Sequence, residues 1–372
     1  VPGTKRGYKW VDRAMRELDP ETDHEQIIRL MGDYQLNATV LDLVVSASTI
    51  HNVVHPRGSE TLAHTGKIVS RRDKRAEDGY EFFWTWFSGG PSSEAVKESV
   101  AKLNRLHLGI ARQLPGNFSY NEDFVFTLCQ LGVFNHRLQK LLGMPGMPDH
   151  LKIAFHHWMR DMSTLFVGEH GPVTGFPEDF DAMLAFVEDY ESQPYEHSEN
   201  GLIVSEGIIQ GFVERNFPKR LWPFGRAMVL TTVPERIRRL HHLPDPDRRL
   251  AALTRFLLKT QIRLQKVLPD PREAASEKYF RERAALIEKR KAERLAAHGM
   301  AGTELSEECP SGGGPCPVPH TDRTASRPPP QSRRRPRWTT TATSRPTTRV
   351  TTWSQRSSTT PRTSRSPCRS AR

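Results

Sequence analysis

The chain has 372 residues, 36% of them hydrophobic, enough for one large or two small domains with a real core. Its formal charge of +11 is unevenly spread: residues 302–372 hold thirteen arginines, no lysine and four acids, which leaves 41 basic and 39 acidic groups in the first 301 residues and no support for a nucleic-acid footprint on the fold itself. Three of the four cysteines lie beyond residue 300, so Cys129 stands alone in the body, which excludes a disulfide framework and a tetrathiolate zinc site and fits a reducing, cytoplasmic setting.

The opening VPGTKRGYKW has charge but no apolar stretch behind it, and residues 1–24 read as an N-terminal arm rather than a secretory leader. Thr22 or Asp23 can cap a helix running through Gln35. The apolar run Leu36–Val54 is interrupted by Asn37, Asp42, His51 and Asn52, which makes it a buried helix and a poor membrane span. Ser92, with Glu94 in the first turn, predicts a helix to Arg112, and Asn121, followed by Glu122 and Asp123, predicts one ending at Gly143 before Pro145. Asp149 precedes a helix expected to stop at Gly168, and Pro177 opens the next, EDFDAMLAFVEDYES. Further helices fit 199–216, 220–231, 234–242 and 246–267, separated by Pro or Gly. No sustained period-two stretch and no internal repeat is present. Residues 25–268 therefore predict an all-α domain of about ten helices.

Two segments follow. Residues 271–299 predict a charged helix closed by Gly299, with Pro271 near its start and Glu277 four residues before Arg281. From residue 300 to 372 the chain turns to Arg, Pro, Ser and Thr and cannot bury a core, so this tail is expected to be disordered, its arginines able to contact acidic partners nonspecifically.

Histidines are the chemically informative residues. On the helix after Ser92, Val96, Val100, Leu103, His107 and Ile110 fall on one face, and at 100° per residue His107 lies about 20° around the axis from Val96. An imidazole there is more often a core residue bonded to a backbone carbonyl, but a buried neutral imidazole is also what a metal or haem iron needs. His51 and His55 have the i,i+4 spacing of two ligands on one helical face, yet HNVVH lacks the glutamate of an HExxH zinc protease. The adjacent pairs His156–His157 and His241–His242 cannot both face one ligand from a regular helix, and the second pair, before Pro244, reads as a solvated helix end. The absence of GxGxxG, Walker and GxSxG motifs removes the usual supports for dinucleotide, NTP and serine-hydrolase chemistry. FFWTWF at 82–87 reads as core, or as the lining of an apolar cavity.

The order of features carries more than any one of them. LAHTGKI (62–68), FFWTWFSGGP (82–91), KLNRLHLGIA (102–111), FSYNEDFVFTLCQL (118–131), HLKIAFHHWMRDMSTLFVG (150–168) and GFPEDFDAMLAFVEDY (175–190) follow one another. In order and spacing, over residues 25–265, the chain resembles the catalytic domain of the MpaB and rubber oxygenase (latex-clearing protein) family. The resemblance implies an all-helical fold holding b-type haem through one axial histidine, here His107 in RLHLGI. It implies a place beside the haem for Thr65; if haem is bound, His64 or Thr65 could serve in catalysis by donating a hydrogen bond to bound oxygen. Two positions depart from the family pattern: Thr61 stands where an arginine is common, and His64 where rubber oxygenase has a lysine. The segment SRRDKRAEDGYE (70–81) looks inserted. The implied activity is a haem-dependent oxidoreductase, expected to use O2 on a hydrophobic, prenyl- or alkene-bearing small molecule. The alternatives are a cofactor-free helical scaffold or binding protein of the same fold, and a haem protein with electron-transfer or peroxidase-like activity.

Overall fold

The 3.6-residue periodicity is realised throughout. A computed structural model describes residues 7–297, with side chains to residue 293, and the predicted tail (300–372) lies outside the described residues. Among those described, fifteen α-helices alternate with short connections. They are α1 (Trp10–Glu17), α2 (His24–Gln35), α3 (Ala38–Asn52), α4 (Pro56–His64), α5 (Lys67–Ser70), α6 (Arg72–Gly89), α7 (Glu94–Ala111) and α8 (Asn121–Leu141). After them come α9 (Asp149–Ser163), α10 (Phe180–Ser192), α11 (Glu199–Asn216), α12 (Trp222–Thr232), α13 (Glu235–Leu240), α14 (Arg248–Val267) and α15 (Ala275–Ala297). The fold is all-α, and the strands among the described residues form one short hairpin, β1 (Val167–Gly168) against β2 (Gly171–Pro172).

Four helices, α1, α4, α5 and α6, are additional to the predicted set. The first three are short. The fourth contains SRRDKRAEDGYE almost entirely, and its charged first turns conceal the apolar face that FFWTWF completes. Trp84, Trp86 and Phe87 of this helix are buried. The N-terminal arm carries α1, which places Val11 and Met15 in the interior and is pinned by Lys9 on Asp270 at 3.1 Å.

Several predicted ends shift, each for a tertiary reason. Ser93, not Ser92, caps α7 by accepting from the Val96 amide, while the Ser92 hydroxyl donates to Glu25 at 2.6 Å. Tyr120 occupies the cap position of α8, and the Asn121 amide instead clips the backbone N–H and C=O of Thr174. The helix expected to reach Gly168 stops at Ser163 because the following backbone is captured: Asn104 donates to the Leu165 carbonyl and accepts from the Val167 amide. His51 and His55 do not share a helix, since α3 ends at Asn52 and His55 caps α4 by accepting from the Arg57 amide. His241, expected at a solvated end, is 1% exposed.

The apolar interior forms two large clusters. One gathers α1, α2, α6, α7, α8, α9 and α10 around Trp158, Phe126, Met159 and Met183; the other gathers α3, α11, α12 and α14 around Leu43, Ile50, Phe212 and Val229. Helix α8 supplies Phe124 through Val133 to the first and Phe134 to the second.

Candidate functional site

His107 enters the bundle from the penultimate turn of α7. The helix is held in rotation by Val96 and Val100, both fully buried, and by the Asn104 amide, three residues before His107, which bonds the strand end at Leu165 and Val167. The imidazole stacks on Phe118 with ring centroids 4.6 Å apart and meets the edge of Phe124 at 6.2 Å. Phe166 and Trp86 extend this aromatic wall. Phe118 is not left to a free loop: its amide donates to the Glu169 carboxylate at 2.9 Å, and the Glu169 amide donates back to the Phe118 carbonyl at 2.9 Å.

Among the described residues neither ring nitrogen of His107 has a hydrogen-bond partner, and Nδ1 is fully buried. The carbonyl partner expected of an ordinary core histidine is therefore missing. Burial, helped by the positive charge of Arg75, brings its pKa down to about 4, so the ring is neutral near pH 7 with a lone pair to give. If a b-type haem were bound, His107 would offer it the one imidazole nitrogen in an apolar setting that such a group asks of the protein. Among the described residues no group of three or more His, Cys, Asp or Glu side chains is placed to hold a bare metal ion.

The other two predicted site residues are elsewhere. His64, at the exposed end of α4, is hydrogen-bonded through Nε2 to Gln113 Oε1 at 3.0 Å. Thr65, the next residue, is exposed, and its hydroxyl donates to the Leu62 carbonyl at 3.2 Å. Asn117 donates to the Thr61 hydroxyl at 3.1 Å. The loop after α7 thus ties α4 to the helix that carries His107, but neither His64 nor Thr65 bonds His107. Asn104 and Arg75 were not singled out from sequence; a polar residue one turn before His107 on an apolar stripe is a readable signal, whereas Arg75 sits in a charged run that hides it.

A second polar cluster lies between α3, α8 and α10. Glu191 accepts two bonds from Arg137, at 2.8 and 2.6 Å, and is joined to Nδ1 of His51 at 2.7 Å. Burial works against ionisation of Glu191, yet Arg137 and His51 hold its pKa at about 2. Nε2 of His51 is buried without a partner among the described residues.

Among the described residues lie two cavities near the helices just named. The larger, about 120 Å3, lies where the two apolar clusters meet, among Leu43, Val44, Phe83, Leu131, Leu138 and Ile262. The smaller, about 50 Å3, is lined by Val45, Thr49, Ile68, Arg72, Arg75 and Arg215, among others. His107 lines neither. No described helix is long and apolar enough to cross a membrane. No family model and no curated protein matches the chain.

Proposed function

We propose that this chain is a b-type haem-dependent oxidoreductase of the cytoplasm that uses O2 on an apolar, prenyl- or alkene-bearing small molecule. The observation that carries the reading is His107: inward, uncharged, walled by aromatic rings, and without a partner for either nitrogen among the described residues. The resemblance in motif order to the MpaB and rubber oxygenase family supports the same residue. Bound haem iron supplies the redox chemistry with dioxygen. The chain's own residues do the rest. Asn104 and the Phe118–Glu169 clip fix the ring's orientation, burial keeps it unprotonated, and Phe124, Phe166 and Trp86 keep water away from it.

The test is the absorption spectrum of full-length protein produced with haem supplied. A Soret band is expected, and His107→Ala should lose most of it while circular dichroism stays helical. Full haem retention by that variant overturns the ligand assignment. Oxygen uptake on adding a prenylated substrate separates an oxygenase from an electron-transfer or peroxidase-like protein.

A second reading, a helical binding protein that keeps the fold without cofactor, is favoured by one observation. His64 and Thr65 are both exposed and already bonded, to Gln113 and to the Leu62 carbonyl. Colourless protein after haem loading selects it.

A further inference from the structure

Helix α14 turns towards solvent an apolar stripe that no described residue covers. Leu253, Phe256, Leu257, Leu264 and Val267, with Leu268 just past the helix end, recur at helical spacing, and all are exposed, Phe256 to 64% and Val267 to 58%. The other side of the helix is committed: Ala251, Thr254 and Leu258 are buried, and Leu258 and Ile262 line the larger cavity. The helix cannot roll to hide the stripe without uncovering them. Its C-terminal end is pinned too. Gln265 donates to the Gln35 carbonyl at 2.6 Å, and the Tyr8 hydroxyl donates to the Val267 carbonyl at 2.5 Å, which sets an exposed aromatic ring beside the stripe.

The flank beside the stripe is cationic. Arg248, Arg249, Arg255, Lys259, Arg263 and Lys266 lie on α14, which holds no Asp or Glu. At 100° per residue the helix surface falls into three sectors roughly 120° apart: buried, basic and exposed apolar. Among the described residues none of these cations makes an ion pair or a side-chain hydrogen bond. The acids nearest in sequence are already used: Asp245 by Arg238, Asp247 by the Arg249 and Leu250 amides that it caps, and Asp270 by Lys9. Exposed apolar side chains next to unanswered cations are what a helix needs in order to lie flat in the headgroup region of an anionic bilayer.

We propose that α14 docks the protein on the surface of an anionic phospholipid bilayer, with its stripe among the upper acyl chains and its Lys and Arg on the lipid phosphates. The helix lies along the bilayer and does not cross it. Charge selects this occupant. A second copy seated on the same face would set cations against cations, and the tail, with thirteen arginines and four acids, carries the same sign. A protein groove that encloses an amphipathic helix would need α14 lifted from the core in which Ala251, Thr254 and Leu258 hold it. A bilayer accepts a convex helix as it stands, and its anionic headgroups supply the counter-ions. The inference does not rest on the haem reading.

The test is co-sedimentation of the full-length protein with vesicles of phosphatidylcholine, alone or mixed with phosphatidylserine. Binding to the mixed vesicles is expected, with little to phosphatidylcholine alone. Lys259→Gln, Arg263→Gln and Lys266→Gln combined should weaken it about 100-fold, roughly fivefold for each charge. Phe256→Ser, at a position already in solvent, should weaken it about tenfold and leave the melting temperature unchanged. The Arg-rich tail can also draw the chain to acidic lipid, and the α14 variants separate the two: binding that neither variant weakens belongs elsewhere in the chain and overturns the proposal. Weakening by the charge variant but not by Phe256→Ser leaves the stripe outside the bilayer and overturns it, as does equal binding to both kinds of vesicle or to neither. A dimer in sedimentation that Phe256→Ser dissolves and vesicles leave intact gives the face to a second copy. Poly-glutamate that binds through the same residues while vesicles do not gives it to an acidic protein. Both results overturn the proposal.

Discussion

Arg137 holds Glu191 by a two-point ion pair inside the bundle, with its two terminal guanidinium nitrogens on the two carboxylate oxygens at 2.8 and 2.6 Å. The same carboxylate, 7% exposed as a residue, also takes His51. Removing the cation strands a desolvated anion, so Arg137→Leu should cost about 3–5 kcal/mol of stability, whereas Glu191→Gln, which keeps a hydrogen-bonding oxygen, should cost less. Urea unfolding of the two variants checks the order; a loss below about 1 kcal/mol for Arg137→Leu would show that water already screens the pair.

Acid should weaken the fold well before carboxylates titrate. His107 and His241 each have a folded pKa of about 4, depressed chiefly by burial, against about 6.5 in the unfolded chain. Burial lowers His51 as well. A depressed histidine pKa means that the unfolded chain binds the proton first, so this stability is fully present above about pH 6.5 and is lost as pH falls towards 4. Each such group contributes a slope of about 1.4 kcal/mol per pH unit within that window. Without added haem, denaturation at pH 7 and pH 5 should differ by about 2–4 kcal/mol, and His107→Leu should flatten the slope. Equal stability at both values would contradict buried neutral rings.

The start of α7 offers a one-residue discrimination. Ser93→Ala removes the hydroxyl that accepts from the Val96 amide and should cost about 1 kcal/mol. Ser92→Ala loses one exposed bond to Glu25 and should cost about half as much or less. Thermal denaturation of the pair distinguishes them, and a reversed order would place the cap at Ser92.

Gly146 is required by conformation and by space. Its φ is +93°, and a methyl group there would stand 2.6 Å from Cε1 of the His136 ring, whose Nδ1 accepts from the Met147 amide. Gly146→Ala should destabilise by about 1–3 kcal/mol, measured by chemical denaturation. A neutral outcome would mean that the turn and the ring move together.

Much of the fold was legible because helix periodicity is a local property. The segment 199–216 emerges unchanged as α11, and the inward setting of His107 follows from its angle to Val96. What escaped depends on distant partners. No local signal says that Asn104 will seize the backbone at Leu165 and end α9 early, or that Glu25 will draw Ser92 away from capping. The charged turns of α6 conceal its apolar face, because charge density outweighs the few apolar positions that precede FFWTWF. At the site, the imidazole could be read from spacing, but its lack of a partner could not, since that depends on what α6, α8 and the Phe118 loop bring to it. Asp78, three residues from Arg75, turns instead to Lys74.

Helix α8 belongs to both apolar clusters, with Val133 fully buried in one and its neighbour Phe134 in the other, and Tyr195 is packed against both. Neither half can melt while this spine stays wound, and the spine cannot unwind without uncovering both halves. Amide protons along Val125–Phe134 should therefore exchange only through global opening, and loss of structure should be a single cooperative event shared by residues at opposite ends of the bundle.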